Sequence, residues 1–340
     1  MFNKFQEIYT MSMHRGGGGG GGTTTPPPTT GGGRTFSFIA APTSLSTSMN
    51  GSITMADGAS ISTWYFSNGG GFNGDRTVPS PVIEANQGSN VAVTLNVSMM
   101  SSPHTIHFHG LDVNQQNDGV PATSFEVNGG SSYTYRFTAP HAGTYMYHCH
   151  VDTNQHFEMG MFGTVIIRPS DGSTNRIWNN GPTFDKEYIW QLTTFDSSWH
   201  SGGGGGMGGM GGGGGGTGPQ FARYRPDYFM INGRDGTNAR TDSTTAITAG
   251  AGQRVLVRVQ GTSNMPGIVN MGGLPFEVVA SDGRPLAQSY TTTELLCCAG
   301  ERYDIILTMP SSGQYTGGIT YKDIRNSGNL GSVSTTITVA

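Results

Sequence analysis

The 340-residue chain is poor in charge: Asp, Glu, Lys and Arg make up 12% of it, Lys occurs only three times, and the formal net charge is -4. So few cations cannot assemble a basic face, which excludes nucleic acid as an expected partner. Long apolar runs are also missing. No stretch approaches the roughly 20 residues that a membrane helix needs, so no membrane span is expected, and the opening MFNKFQEIYTMSMHR lacks the apolar core of a signal peptide. Cysteine is scarce, at Cys149, Cys297 and Cys298 only, and three thiols cannot form a disulfide framework that uses them all. The adjacent Cys297 and Cys298 read as small hydrophobes on a strand or its end, with a vicinal or intermolecular disulfide as the alternative. No amphipathic segment of helix length is present.

Glycine, by contrast, is abundant at 55 residues, much of it in RGGGGGGGTTTPPPTTGGGR at 15–34 and SGGGGGMGGMGGGGGGTG at 201–218. Neither tract offers side chains to bury against its large backbone entropy. Residues 1–34 therefore read as a tail and 201–218 as a long loop inside a second domain. Met207 and Met210 are candidate soft ligands for Cu(I) as against plain linker, and packing of the tracts in a larger assembly is a further reading. Between the tracts, NVAVTLNVS, SYTYRFTA, GTVIIRP, QRVLVRVQG and RYDIILTM are short β-branched or aromatic runs separated by Gly, Pro, Asn and Ser. That texture predicts an all-β chain of antiparallel sandwiches or barrels. Its length allows two domains, and the halves repeat. With an offset of 170, FEVNGGSSYTYRFTAPHAGTY at 125–145 matches LLCCAGERYDIILTMPSSGQY at 295–315 at Gly130/Gly300, Tyr133/Tyr303, Thr138/Thr308, Pro140/Pro310, Gly143/Gly313 and Tyr145/Tyr315. Two copies of one β-domain are expected, at 35–169 and 183–340.

Six of the nine histidines sit in SPHTIHFHG (His104, His107, His109) and in HCHVDTNQHFEMGM (His148, His150, His156). In an extended strand side chains alternate faces. His107 and His109 then share one face and His104 takes the other, while His148 and His150 share a face opposite Cys149. Pairing the two strands gives one face with four imidazoles and another with His104 and Cys149. The second set needs one more imidazole and a weak axial ligand to match a blue-copper centre, which uses two His, one Cys thiolate and a distant Met. The loop that follows supplies His156 and Met161, with Met159 as the competing axial candidate. Copper is the expected metal, and zinc, which also accepts Cys and His, is its rival. His14, His141 and His200 read as non-ligands. Asp112, Asp118, Asp152 and Glu158 are candidates to receive the second N–H of a metal-bound imidazole.

These motifs, together with HFHGLDVNQQNDGVPATSFEVNGGSSYTYRFTAPHAGTYMYHCH, resemble the multicopper oxidases, the laccase and ceruloplasmin family, and in particular two-domain members with the blue copper in the first domain. The resemblance covers nearly the whole chain outside the Gly tracts. It implies two tandem cupredoxin folds of Greek-key topology, with type 1 copper on His104, Cys149, His156 and Met161. His107, His109, His148 and His150 would form half of a trinuclear cluster, and electrons would pass from type 1 copper through Cys149 to the flanking His148 and His150, the residues carrying catalysis. It also implies action outside the cytoplasm, extracellular or periplasmic, and a possible homo-oligomer, a trimer or larger. The electron donor or acceptor is not specified.

The sequence departs from the family pattern in two ways. The Cys149-to-His156 spacing is two residues longer than in typical laccases. More seriously, the family cluster takes eight His and this chain offers four. NMGGL places Asn270 and Gly272 where second-domain ligands would stand, and Gly318, Ile319 and Thr320 correspond to His148, Cys149 and His150. Three readings follow: an electron-transfer or copper-binding protein with one complete copper site, a laccase-like oxidase completed by another polypeptide, or a structural, filament-forming protein on a cupredoxin scaffold.

Overall fold

The computed structural model describes residues 38–40, 43–68, 78–99, 101–201 and 221–340. The tail through residue 34, with His14, and the loop from residue 202, with Met207 and Met210, lie outside the described residues.

The first half forms nine strands: β1 (Phe38–Ala40), β2 (Thr43–Thr54), β3 (Ser60–Ser67), β4 (Ser80–Asn86), β5 (Asn90–Asn96), β6 (His107–His109), β7 (Ser132–Thr138), β8 (Gly143–His148) and β9 (Phe162–Arg168). They make two sheets, β1-β4-β9-β8-β6 and β3-β2-β5-β7. Between the sheets lies a core that includes Leu45, Phe66, Val93, Phe108, Tyr135 and Val165. In β5, NVAVTLN, the β-branched and apolar positions alternate buried and partly exposed, as a strand with one wet face must.

The second half contributes β10 (Lys186–Phe195), β11 (Tyr228–Ile231), β12 (Arg234–Asp235), β13 (Ile247–Ala249), β14 (Arg254–Gly261), β15 (Gly267–Asn270), β16 (Phe276–Ser281), β17 (Arg284–Thr292), β18 (Glu294–Cys297), β19 (Arg302–Thr308), β20 (Gln314–Lys322) and β21 (Asn329–Val339). Its sheets are β12-β11-β10-β14-β19-β16-β17 and β13-β21-β20-β15-β18. Cys297 closes β18 in the core, and among the described residues neither it nor Cys298 is joined in a disulfide.

The repeat seen in the sequence is visible in the pairing. In the first half, β3 and β2 are antiparallel, β2 and β5 parallel, β5 and β7 antiparallel. In the second, β11, β10, β14 and β19 follow the same order of antiparallel, parallel and antiparallel contacts. The parallel pairs are a difference from the purely antiparallel texture read in the sequence. Parallel neighbours need a crossover rather than a hairpin, and here the chain crosses between the two sheets of a sandwich, as Greek-key wiring requires.

Strands β8, β9 and β10 are buried along nearly their whole length, because the second sandwich covers the outer face of the first. Val82, Ile166 and Ile189 pack together at this junction. Beside them lies a ribbon of buried charge. Glu187 accepts from Arg168 Nη1 and Nη2, each at 2.7 Å, and from Arg258 Nε at 2.7 Å. Arg168 also pairs with Glu84, and Arg258 Nη1 donates to Thr144 Oγ1 at 2.6 Å, whose hydroxyl in turn donates to Asp304.

Candidate metal centre

Strand β6 pairs antiparallel with β8 in the register His107↔His148 and His109↔Met146. His107, His109 and His148 therefore meet on one face, with one ligand atom from each within 4.8 Å of the others. Their ring centroids lie 5.2 to 5.6 Å apart. His150 joins the group by ring contact, 5.3 Å from His107 and 5.7 Å from His148. The strands are shorter than face alternation through His104 and His150 would need. His104 sits outside β6 in an isolated bridge to Val127, and β8 ends at His148. Cys149 and His104 fall in a separate group, with His156.

There Cys149 Sγ lies 3.5 Å from His104 Nδ1 and 3.1 Å from His156 Nδ1, and all three side chains are buried. His156 stands in a short helix, α1 (Thr153–Glu158), where the sequence suggested a plain loop. Just beyond it the chain doubles back. Met161 N donates to His156 O and Met161 O accepts from Cys149 N, each at 3.0 Å. Met161 is fully buried in the same core cluster as Cys149. Met159, also buried, is absent from that cluster, and its carbonyl accepts from Trp64 N. The Trp64 ring meets His156 edge-on at 5.2 Å.

Hydrogen bonds fix several of the imidazoles. Ser101 Oγ lies 2.8 Å from His104 Nε2, leaving Nδ1 toward the sulfur. His107 Nδ1–H donates to the Asp118 carbonyl at 2.7 Å, with the Asp118 carboxylate at 3.3 Å. His148 Nδ1–H donates to Cys149 O at 2.9 Å, and Thr153 Oγ1 is 3.3 Å from His150 Nδ1. Of the four carboxylates considered from the sequence, Asp118 alone reaches an imidazole of these groups. Asp112 pairs with Arg284 and approaches His141, Asp152 precedes α1 without capping it, and Glu158 is engaged elsewhere. The hydroxyls of Ser101 and Thr153 carry no recognisable motif, and only their closeness to histidines could have marked them. His141 and His200 take no part in either group.

Burial sets the protonation. It lowers His104 to about 3, with the charge of His156 adding to the effect, and lowers His156 to about 4. His148 falls to about 3 through burial and then the neighbouring His107. His109 is held well below the ordinary value by burial and then by Arg302. The Cys149 thiol is pushed up to about 11 by burial. At neutral pH the imidazoles of His104, His109, His148 and His156 are thus neutral donors, and a metal cation must displace one thiol proton. Two imidazoles and one sulfur, all shielded from water, form a soft set that fits copper.

In the second sandwich Asn270 pairs with Gly318 just as His107 pairs with His148. The positions that would carry ligands there are committed to other contacts. Asn270 Oδ1 accepts from Gly272 N and Gly273 N, and Gly272 has φ +72° with space for a Cβ only 2.8 Å from Tyr315 Cβ. Ile319, at the place of Cys149, is core. The second sandwich does approach the imidazole cluster. Arg302 Nη1 donates to Gly300 O, and a Cβ on Gly300 would stand 3.0 Å from His109 Cε1.

Two family models described as multicopper oxidase match residues 67–172 and 211–339. The chain is 30% identical over 243 residues to Laccase-1 of Cryptococcus neoformans var. grubii, covering 67% of this chain and 37% of that protein. It is 25% identical to Multicopper oxidase MmcO of Mycobacterium tuberculosis, over 68% of this chain and 46% of that one. The chain thus spans less than half the length of either relative. The solved Blue Copper Oxidase from Nitrosomonas europaea superposes with a TM-score of 0.67 at 28% identity, covering 87% of this chain and 85% of that chain.

Proposed function

The chain belongs to the multicopper oxidase family, whose members bind copper, and from that premise we propose that it is a copper redox protein whose primary business is one-electron transfer at a single type 1 site. The approach of His104 Nδ1 and His156 Nδ1 to Cys149 Sγ, at 3.5 and 3.1 Å inside a dry core, carries this reading. When bound there, copper supplies one-electron redox chemistry between Cu(II) and Cu(I). His104 and His156 would present their Nδ1 lone pairs, Ser101 holds the first ring in place, Cys149 would give up its proton to bind as a thiolate, and Met161, buried in the same core cluster, would supply the thioether. Trp64 and the surrounding core exclude water. Cys149 is joined through its own backbone to His148 and His150, so covalent bonds link the two sites.

The second site takes His107, His109 and His148, with His150 beside them, and these are too few for three coppers. We assign it one copper. The oxidase reading requires the missing imidazoles from another polypeptide, because a homotrimer would bring further copies of a ligand-free second sandwich. It is favoured by one observation, the preformed approach of His107, His109 and His148. The filament reading rests on the Gly tracts, which lie outside the described residues. A location outside the cytoplasm follows from the family resemblance; no helix among the described residues is long and apolar enough to cross a membrane.

Copper loading with metal counting, followed by oxygen-uptake measurements on a phenol or Fe(II), tests the proposal. An intense blue absorption that bleaches reversibly on reduction, without oxygen uptake, is expected. A colourless copper-loaded protein refutes it, and three or more coppers per chain with turnover to water establishes the oxidase instead.

A further inference from the structure

Helix α1 holds the copper ligand His156, yet nothing in the helix itself fixes where it stands. Six residues are far below the length at which a helix is stable alone. Its preceding residue, Asp152, adopts φ 42° and makes no side-chain capping bond. The position of His156 is therefore decided by what holds the C-terminal end of the turn. Phe157 packs there among Met146, Phe162, Phe195 and Met230. Beside it, the carboxylate of Glu158 is buried, with its side chain 1% exposed.

Every strong partner of that carboxylate comes from the second half of the chain. Glu158 Oε1 accepts from Asp196 N at 2.6 Å and lies 3.5 Å from His200 Nε2. Oε2 accepts from Tyr224 Oη–H at 2.9 Å and from Asn264 Nδ2 at 3.2 Å. These partners are braced in turn. Thr194 Oγ1 lies 2.9 Å from Tyr224 Oη, Asp196 Oδ2 accepts from Arg225 N at 2.7 Å, and His200 Nδ1–H donates to Ser62 O at 2.6 Å, tying the assembly back to β3. An ionic or polar group buried this deeply is costly unless all its bonds are made. Rotating or sliding α1 would break several of them at once.

We propose that Glu158 is a positioning residue through which the ligand-free second sandwich sets the geometry, and hence the reduction potential, of the copper site in the first. The inference rests on the type 1 assignment above. It gives the second sandwich a role that its missing ligands leave unexplained: it supplies no donor atom but holds the turn that does. Groups that orient metal ligands from outside the coordination sphere typically change metal affinity about 10- to 100-fold when altered.

The test uses the full chain loaded with copper and the variants Glu158→Gln, Tyr224→Phe and Asn264→Ala. The latter two each remove one donor to Glu158 and lie far in sequence from any copper ligand. Each variant is expected to keep its copper and its far-ultraviolet circular dichroism while the ratio of Cu(II) to Cu(I) affinity changes about tenfold, equivalent to roughly 59 mV for one electron. A change in the copper hyperfine splitting seen by electron paramagnetic resonance should accompany it. If Glu158→Gln does not fold, Tyr224→Phe and Asn264→Ala carry the measurement. Blue variants that lose stability but keep the wild-type potential and hyperfine splitting overturn the positioning role alone. A wild-type chain that never turns blue overturns the type 1 assignment and this role with it.

Discussion

Replacing Glu187 by Gln should destabilise the metal-free protein by about 3–5 kcal/mol, the usual cost of stranding a buried charge. Glu187 is the anion between two guanidiniums that are 1% and 0% exposed, those of Arg168 and Arg258. Burial alone would raise its pKa, but the charges of Arg168 and Arg258 and their hydrogen bonds outweigh that and bring it from 4.5 down to about 2. A shift of that size, at about 1.4 kcal/mol per unit, corresponds to a contribution on the order of 3 kcal/mol. Gln keeps the shape but loses the charge and turns an amide donor toward a donor, leaving Arg168 to Glu84 and Arg258 to Asp304. The sign of the pH dependence is fixed. A depressed carboxylate stabilises above its unfolded pKa, here 4.5, and that contribution is lost as the pH falls through the folded value near 2. Urea titrations of wild type and variant should therefore differ fully at pH 7, and the difference should shrink steadily below pH 4.5. A loss under about 1 kcal/mol at pH 7, or a gap that does not narrow in acid, would refute the argument that this ion pair couples the sandwiches.

Three further outcomes can be measured. Cys149→Ser should abolish the blue absorption while leaving the circular dichroism unchanged, whereas His107→Ala should keep the blue colour and lower the copper count by about one; loss of colour in the second variant contradicts the division of faces. The metal-free protein should weaken as the pH falls below about 6.5, because the unfolded chain then binds protons that buried His104, His148 and His156 refuse until about pH 3 to 4. Near pH 5 each such histidine contributes a slope approaching about 1.4 kcal/mol per pH unit, and urea midpoints that stay flat between pH 7 and 5 would show that these rings are not buried neutral. Asn270→His combined with Gly272→His should recruit no additional copper and should cost about 1–3 kcal/mol for the left-handed backbone at residue 272 alone; extra copper at unchanged stability would contradict this.

The strands, the repeat and the grouping of ligands were legible because each is written locally. Strand β19 follows β7 at the same offset of 170 that aligns Tyr133 with Tyr303, and alternation along β6 puts His107 and His109 on one face without any knowledge of the fold. Helix α1 was not legible, since TNQHFE is too short to show a period, and the Asp152-to-Gln155 spacing that could mark a cap makes no side-chain capping bond. The buried ion pairs were harder still. Glu84, Arg168, Glu187, Arg258 and Asp304 are separated by up to 220 residues, and only part of their setting hinted at them: Glu84, Arg168 and Arg258 interrupt apolar runs, PVIEA, VIIRP and VLVRV, whereas Glu187 and Asp304 follow other charges in KEYIW and RYDIIL. A charge on a strand buried along both faces cannot point to water, so it must find a partner across an interface.

The second sandwich, in whose described residues no group of three or more His, Cys, Asp or Glu is placed to hold a metal, still does structural work for the first. Without it, the outer faces of β8 and β9 would expose Ile166, Arg168 would lose Glu187 and keep Glu84, and the end of α1 would lose every strong partner of Glu158. Gly300 and Arg302 also reach His109, so the imidazole cluster is closed on one side by glycine and a buried cation rather than by ligands. The cation matters for chemistry. A guanidinium packed against the cluster opposes accumulation of further positive charge there, which favours one copper over several. Selection on such a domain would act on packing and hydrogen bonding, not on coordination. Its copper positions are accordingly filled by Asn270, Gly272, Gly318 and Ile319, while the bonds that hold the first sandwich's ligand turn are all in place.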